Sequence, residues 1–189
     1  LGWHPNDDDE IFDIDSLIKN FSIKKIQKSG AIFDIKKLNW MNSYYIKNSQ
    51  EKKLYNYLLK LSLIKENIDV KKYYKAIGYA KNSSATLHEL SDKTIIFFKQ
   101  DNYNDLLRKY EINLLFNFWI ENLSCIDIVT LDSINNIITL SKEKLNIAGK
   151  NLFIPLRLAL IGQEHGPDLF TIIDIVGIEE SINRIKSKL

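Results

Sequence analysis

Apolar side chains recur every three or four residues through most of this chain, and nowhere do they alternate with polar ones for long enough to line a strand. Leu54, Leu58 and Leu61 stand at near-helical spacing. Val70, Tyr73, Ile77 and Ala80 form a second group behind Asp69, whose short side chain is suited to cap a helix start. Leu106, Leu107 and Tyr110 precede a third stripe, Leu114, Leu115, Phe118, Trp119 and Leu123, and a fourth, Leu131, Ile134, Ile138 and Leu145, follows Thr130 as cap. Ile95-Ile96-Phe97-Phe98 has strand propensity, yet it closes the pattern Leu87, Leu90, Thr94, Phe97 and reads as a helix tail. No Asn-Gly or Asp-Gly hairpin pair occurs. The expected fold class is all-α: a bundle or cage of two packed helical subdomains without a substantial sheet.

The 189 residues suffice for one large core or two small ones, and 45% hydrophobic content argues against disorder. The apolar runs fall well short of the roughly 20 residues that cross a bilayer, so a membrane partner is not expected and a cytoplasmic monomer is. A net charge of +2 makes no bulk case for nucleic acid, so any such site must be local. The abundance of Lys, Asn and Ile looks like coding bias, which discounts single lysine runs. Leu1-Gly2-Trp3 resembles neither a start nor a signal peptide, and the chain reads as a piece of something longer.

Chemistry is sparse. Cys125 is the sole cysteine, which excludes an internal disulfide and a cysteine zinc cluster, and it reads as a small buried hydrophobe. His4, His88 and His165 lie far apart and read as surface or structural residues. Gly-x-Ser-x-Gly, His-Glu-x-x-His and a Gly-rich loop ending in Lys-Ser or Lys-Thr are all missing, so no catalytic residue, cofactor site or metal site is expected in this chain. Near the start, the acidic run Asp7-Asp8-Asp9-Glu10 reads as a solvated turn, with Asp13 or Asp15 capping a short helix and Ser22 another. Lys28-Ser29-Gly30 leads to Asp34, a cap for the helix carrying Leu38, Trp40, Met41 and Tyr44. A basic loop before a cap suits a phosphate.

One stretch is different. Residues 149–169 gather three of the seven glycines and two of the three prolines around Arg157. Proline favours the first helical turn, which puts Pro155 at a helix start and Arg157 near the third position, beside exposed N–H groups, with Leu156 and Leu160 facing inward. The helix should stop at Gly162. Gln163 to Pro167 would then form a tight loop before Asp168 caps Leu169, Ile172, Ile173 and Val176; Gly177 ends that run and Glu179-Glu180 opens a last helix. On its chemistry alone Arg157 has two readings: a guanidinium fork aimed at a base or phosphate, or an ion pair with Glu164 or Asp168.

Gly149-Lys150, Pro155-Leu156-Arg157-Leu158-Ala159-Leu160 and Gly162 through Leu169 resemble the anticodon-binding signature of bacterial glutamyl-tRNA synthetases. Leu1-Gly2-Trp3, Glu10-Ile11-Phe12, Lys28 through Asp34 and Lys37 through Asn42 resemble the segment that follows that family's catalytic core. The resemblance implies a fragment whose parent joins glutamate to tRNA with ATP and magnesium, while the catalytic domain, and with it ATP and magnesium, lies outside this chain, which alone would be inactive. Residues 1–50 would end a stem-contact region, 51–100 would form one helical anticodon-binding subdomain and 101–189 a second. Arg157 would contact an anticodon base, Gly166 and Leu169 would line the same pocket, and Lys28, Ser29 and Gly30 would lie near the tRNA backbone.

One departure concerns specificity. Where many members carry Lys-Glu-Arg, the arginine helping to reject glutamine tRNA, this chain has Lys81-Asn82-Ser83. The expected partners are therefore glutamate tRNA and, through a non-discriminating parent, glutamine tRNA, with Lys81 a substitute for the missing arginine. The competing reading from another class is a helical protein-interaction scaffold that binds no RNA.

Overall fold

A computed structural model describes residues 3, 10–27, 30, 32–65, 69–99 and 104–189. Among these, eleven α-helices and no strand are found. The caps bear out local chemistry. Helix α1 (Ile14–Asn20) starts at Asp13, which accepts the Ser16 N–H at 2.7 Å, so Asp13 rather than Asp15 is the cap. Helix α2 (Ile35–Asn48) starts at Asp34, which accepts from Lys36 and Lys37. Ser22 precedes a 3-10 turn, Ile23–Lys25, without a side-chain cap bond. Helix α3 (Glu51–Lys60) is followed by α4 (Val70–Ala80), capped by Asp69, and α4 runs on into a 3-10 turn, Lys81–Ser83. The polar segment Lys81-Asn82-Ser83 is thus a tightened last turn. Thr86 then caps α5 (Leu87–Ile95).

Helices α2 to α5 enclose a small core of Ile46, Leu54, Tyr55, Leu58, Tyr73, Ile77, Ala80 and Leu90, in which Tyr73 stacks on Phe98 at 4.6 Å between ring centroids. Such stacking adds about 0.5–1.5 kcal/mol beyond area burial. Leu61, read as part of the same stripe, is exposed, because α3 has already ended at Lys60.

The larger core lies among α6 (Asn104–Leu107), α7 (Ile112–Ser124), α8 (Leu131–Leu145), α9 (Lys150–Ile161), α10 (Leu169–Val176) and α11 (Ile178–Lys186). Trp119 is fully buried at its centre and satisfies its indole N–H on Ser141 Oγ at 3.0 Å. Thr130 and Ser133 form a reciprocal capping box at the start of α8, and Asn146 ends that helix in the left-handed conformation. Leu131 and Leu114 are exposed, and Ile134 and Ile137 carry the buried stripe of α8. Cys125 is exposed, contrary to the sequence expectation, because it is the C-cap of α7, one step past the last helical residue.

Two features hold the cores together. Phe98 packs against both, and α4 lies along α10, with Lys72 Nζ donating to the Val176 carbonyl at 2.5 Å and Lys75 Nζ paired with Asp174 at 2.6 Å. The described N-terminal residues are held more lightly. Neither α1 nor the turn after it buries a residue, α2 buries Ile46 alone, and Ile14, Ile18, Ile23, Ile32 and Ile35 are exposed. Their ties to the rest include Asn42 to the Ala85 carbonyl at 2.6 Å. Among the described residues no helix is long and apolar enough to cross a membrane.

Candidate functional site

Helix α9 begins five residues before Pro155, at Lys150, behind the N-cap Gly149, whose φ of +55° is open to glycine and strained for other residues. Pro155 therefore sits inside the helix and Arg157 lies in its second half, which corrects the expectation that Arg157 stands at a helix start. The missing Pro155 N–H would have bonded the carbonyl of Asn151, and Asn151 is an exposed first-turn residue whose carbonyl can bond water instead. Leu156 and Leu160 are buried as expected.

Gly162 ends α9 in the left-handed conformation and accepts its role as C-cap through its own N–H, which bonds the carbonyls of Arg157 and Leu158 at 3.1 Å. The chain then turns through Gln163 to Pro167. Asp168 caps α10 with both oxygens: Oδ1 accepts the Thr171 N–H at 2.8 Å and Oδ2 the Thr171 hydroxyl at 2.7 Å. Gly177, at φ +92°, closes α10 as its spacing predicted.

That capping explains Arg157. Its Nε donates to the Pro167 carbonyl at 2.9 Å, and its guanidinium lies 5.6 Å from the centre of the Phe153 ring, one turn earlier on α9. Among the described residues it pairs with neither Asp168 nor Glu164. One nitrogen thus holds the loop while the terminal nitrogens, half-buried, bond no other described group. A fork anchored this way is pre-aimed, so ordering it on a ligand costs less side-chain entropy.

Of the two pocket residues, Leu169 is buried in the larger core and Gly166 is exposed on the loop at φ +150°, within reach of Ile161 and Gln163. Tyr79, on α4, was not singled out by sequence reasoning. Its phenol is pushed above the ordinary tyrosine value, first by burial and next by the charge of Asp168, with Arg157 pulling the other way, so it belongs to the same corner. The signal that would have found it is its spacing from Lys72 and Lys75, which puts all three on one face of α4.

A second corner lies around Ser83. Lys81 is not free there: its Nζ pairs with Glu51 at 2.6 Å and donates to the Ser49 carbonyl at 3.1 Å, with 19% of its side chain exposed. The hydrogen bond from Lys81 holds the Glu51 carboxyl below its ordinary value. The cation at Ser83 is instead Lys93, bonded to the Ser83 carbonyl and, at 3.2 Å, to its hydroxyl. Among the described residues no carboxylate pairs with Lys93.

Lys28 and Ser29 lie outside the described residues, as do His4 and Asp7-Asp8-Asp9. Gly30 is exposed with open space around it. His88 and His165 are both exposed. Among the described residues no group of three or more His, Cys, Asp or Glu is placed to hold a metal ion.

The comparisons with known proteins place the all-helical chain in a family. The family model described as "Anticodon binding domain" matches residues 50–189, and the chain belongs to that family. Its relatives are glutamate–tRNA ligases. The ligase of Natranaerobius thermophilus is 34% identical over 202 residues, a match covering 100% of this chain and 41% of that protein. Glutamate–tRNA ligase 1 of Caldicellulosiruptor saccharolyticus is 33% identical, covering 98% of this chain and 41% of the relative. The crystal structure of a glutamate tRNA ligase from Elizabethkingia meningosepticum, in complex with its amino acid, superposes with a TM-score of 0.77 at 26% identity, covering all of this chain and 38% of that one. The chain therefore spans about two fifths of the length of these relatives.

Proposed function

We propose that this chain is the tRNA-reading part of a glutamate–tRNA ligase, a monomeric enzyme of the cytoplasm that joins glutamate to its tRNA with ATP. Residues 51–100 and 101–189 form two anticodon-binding subdomains and residues 1–50 the end of a stem-contact region. Two hydrophobic clusters, one drawn mostly from residues 46–90 and the other mostly from residues 107–185, support the division. The observation that carries the reading is the Arg157 fork, tied to Pro167 by one nitrogen and unpaired with any described carboxylate, in a chain of the anticodon-binding family.

Arg157 bonds an anticodon base, Gly166 borders that base on the loop, and Leu169 supports the pocket from the core behind it. Ser83, with Lys81 behind it, forms a second contact, and Lys28, Ser29 and Gly30 lie along the tRNA backbone. The ATP and magnesium chemistry is assigned to the remainder of the parent protein, of whose relatives this chain spans about two fifths. Ser83, short and uncharged, is a weak barrier to glutamine tRNA, and the parent accepts both tRNAs.

Titration of the chain with an in vitro transcript of a bacterial glutamate tRNA tests this. Binding should fall as salt rises, because phosphate contacts release counterions, and it should weaken on Arg157→Ala. Lack of binding even at low salt would favour the protein-scaffold reading.

A further inference from the structure

Helices α4 and α10 run in opposite directions. Lys72, in the first turn of α4, reaches the carbonyl of Val176 at the end of α10, and Lys75 reaches Asp174 two residues before it. Lys72, Lys75 and Tyr79 share one face of α4 by their spacing of three and four. From Lys72 to Tyr79 is about 10 Å of helix, and from Val176 back to Asp168 is about 12 Å. The Tyr79 ring therefore arrives where α10 begins, against the loop to which Arg157 is tied.

One edge of that ring is fixed by Phe97, perpendicular to it at 5.9 Å between centroids. The residue remains 41% exposed, and its hydroxyl bonds no described group. A core tyrosine would be covered; this one is braced on one side and open on the other. Burial, and next the charge of Asp168, push the Tyr79 pKa above its ordinary value, so the phenol stays neutral and brings no negative charge toward RNA.

We infer that Tyr79 is a base-stacking residue of the Arg157 site. An unstacked base of an RNA loop lies on the open part of its ring, and the terminal nitrogens of Arg157 bond the edge of that base. Aromatic platforms beside arginine are how single-stranded bases are held once they leave the stack. The inference rests on the proposed reading of the chain as an anticodon-binding module, and deepens it by naming a residue that supplies stacking.

The test uses the whole 189-residue chain and an anticodon stem–loop RNA of a bacterial glutamate tRNA. Tyr79→Leu should weaken binding about tenfold, the loss typical of one stacked base, while Tyr79→Phe stays within about twofold, because the ring is kept. Replacing the anticodon bases one at a time with an abasic site should abolish the Tyr79→Leu penalty at one position. Unchanged affinity of Tyr79→Leu beside a weakened Arg157→Ala overturns the stacking role and leaves the Arg157 reading standing. Unchanged affinity of both variants overturns that reading as well. Should Tyr79→Leu not fold, 4-thiouridine in the anticodon decides with the wild-type chain: a cross-link to the tryptic peptide of residues 76–81 supports the inference, and cross-links confined to other peptides overturn it.

Discussion

At the Arg157 corner the cation is held by one carbonyl, whereas at the Ser83 corner a carboxylate takes the charge of Lys81. Both corners looked alike as basic residues beside helix ends. They differ in what the neighbouring acids are doing. Asp168 spends both oxygens on Thr171 and leaves Arg157 its charge, while Glu51 closes on Lys81. An exposed cation is available to RNA according to the engagement of nearby carboxylates, not according to their number. Arg184 gives the limiting case: it is 7% exposed, bonded to Glu180 at 2.8 Å and to the Leu160 carbonyl at 2.6 Å, and holds α11 on α9.

The largest effect expected from this contrast is on Arg157→Ala, which should weaken tRNA binding by about 10- to 100-fold, as the loss of a bidentate base contact does, with a small change in thermal midpoint. A fluorescence titration with a melt on the same sample reads both. Next comes Gly166→Ala. Its φ of +150° is poorly tolerated by an L side chain, although a methyl group would meet Ile161 and Gln163 only at ordinary contact distance. A loss of about 1–2 kcal/mol in urea unfolding is expected from the strain, with weaker RNA binding because the loop anchoring Arg157 shifts.

At the other corner, Ser83→Arg restores a guanidinium. The ratio of affinities for glutamate and glutamine transcripts, near one in the wild type, should move toward glutamate tRNA by about tenfold, the scale of one charge-assisted contact. A wild-type chain that already prefers glutamate tRNA strongly would remove the non-discriminating reading. The smallest effect belongs to Glu51→Gln. Its pKa is lowered in the folded chain, so its contribution is present above the ordinary carboxylate value and is lost as pH falls through the lowered one. The pair is partly exposed and should be worth under about 1 kcal/mol. The variant should flatten the acid side of a stability profile, below the ordinary carboxylate value, and leave neutral-pH tRNA binding nearly unchanged.

Much of the fold was legible because capping is local chemistry. Asp34, Asp69, Thr130 and Asp168 each found their own N–H two or three residues on, as their positions before apolar runs implied. The start of α9 was not legible. Proline marks a helix start only when its missing N–H would otherwise be orphaned, and here Gly149 supplies an earlier start that the preference for Pro at the first position conceals. Cys125 was misread because residue type predicts burial on average, and a helix end decides it in the particular case. Tyr79 escaped notice for the opposite reason: its neighbours Ile77 and Ala80 are core and drew the reading to the buried face, whereas its spacing from Lys72 and Lys75 sets it on another.

The most direct test of the central claim is a coupling measurement between Arg157 and the anticodon. Wild-type and Arg157→Ala chains are titrated with the cognate stem–loop and with stem–loops changed at each anticodon base. If Arg157 reads a base, its removal weakens the cognate complex by about 10- to 100-fold and has little further effect on one of the changed loops. An equal loss on every stem–loop would mean that Arg157 touches the backbone alone, and would contradict the account.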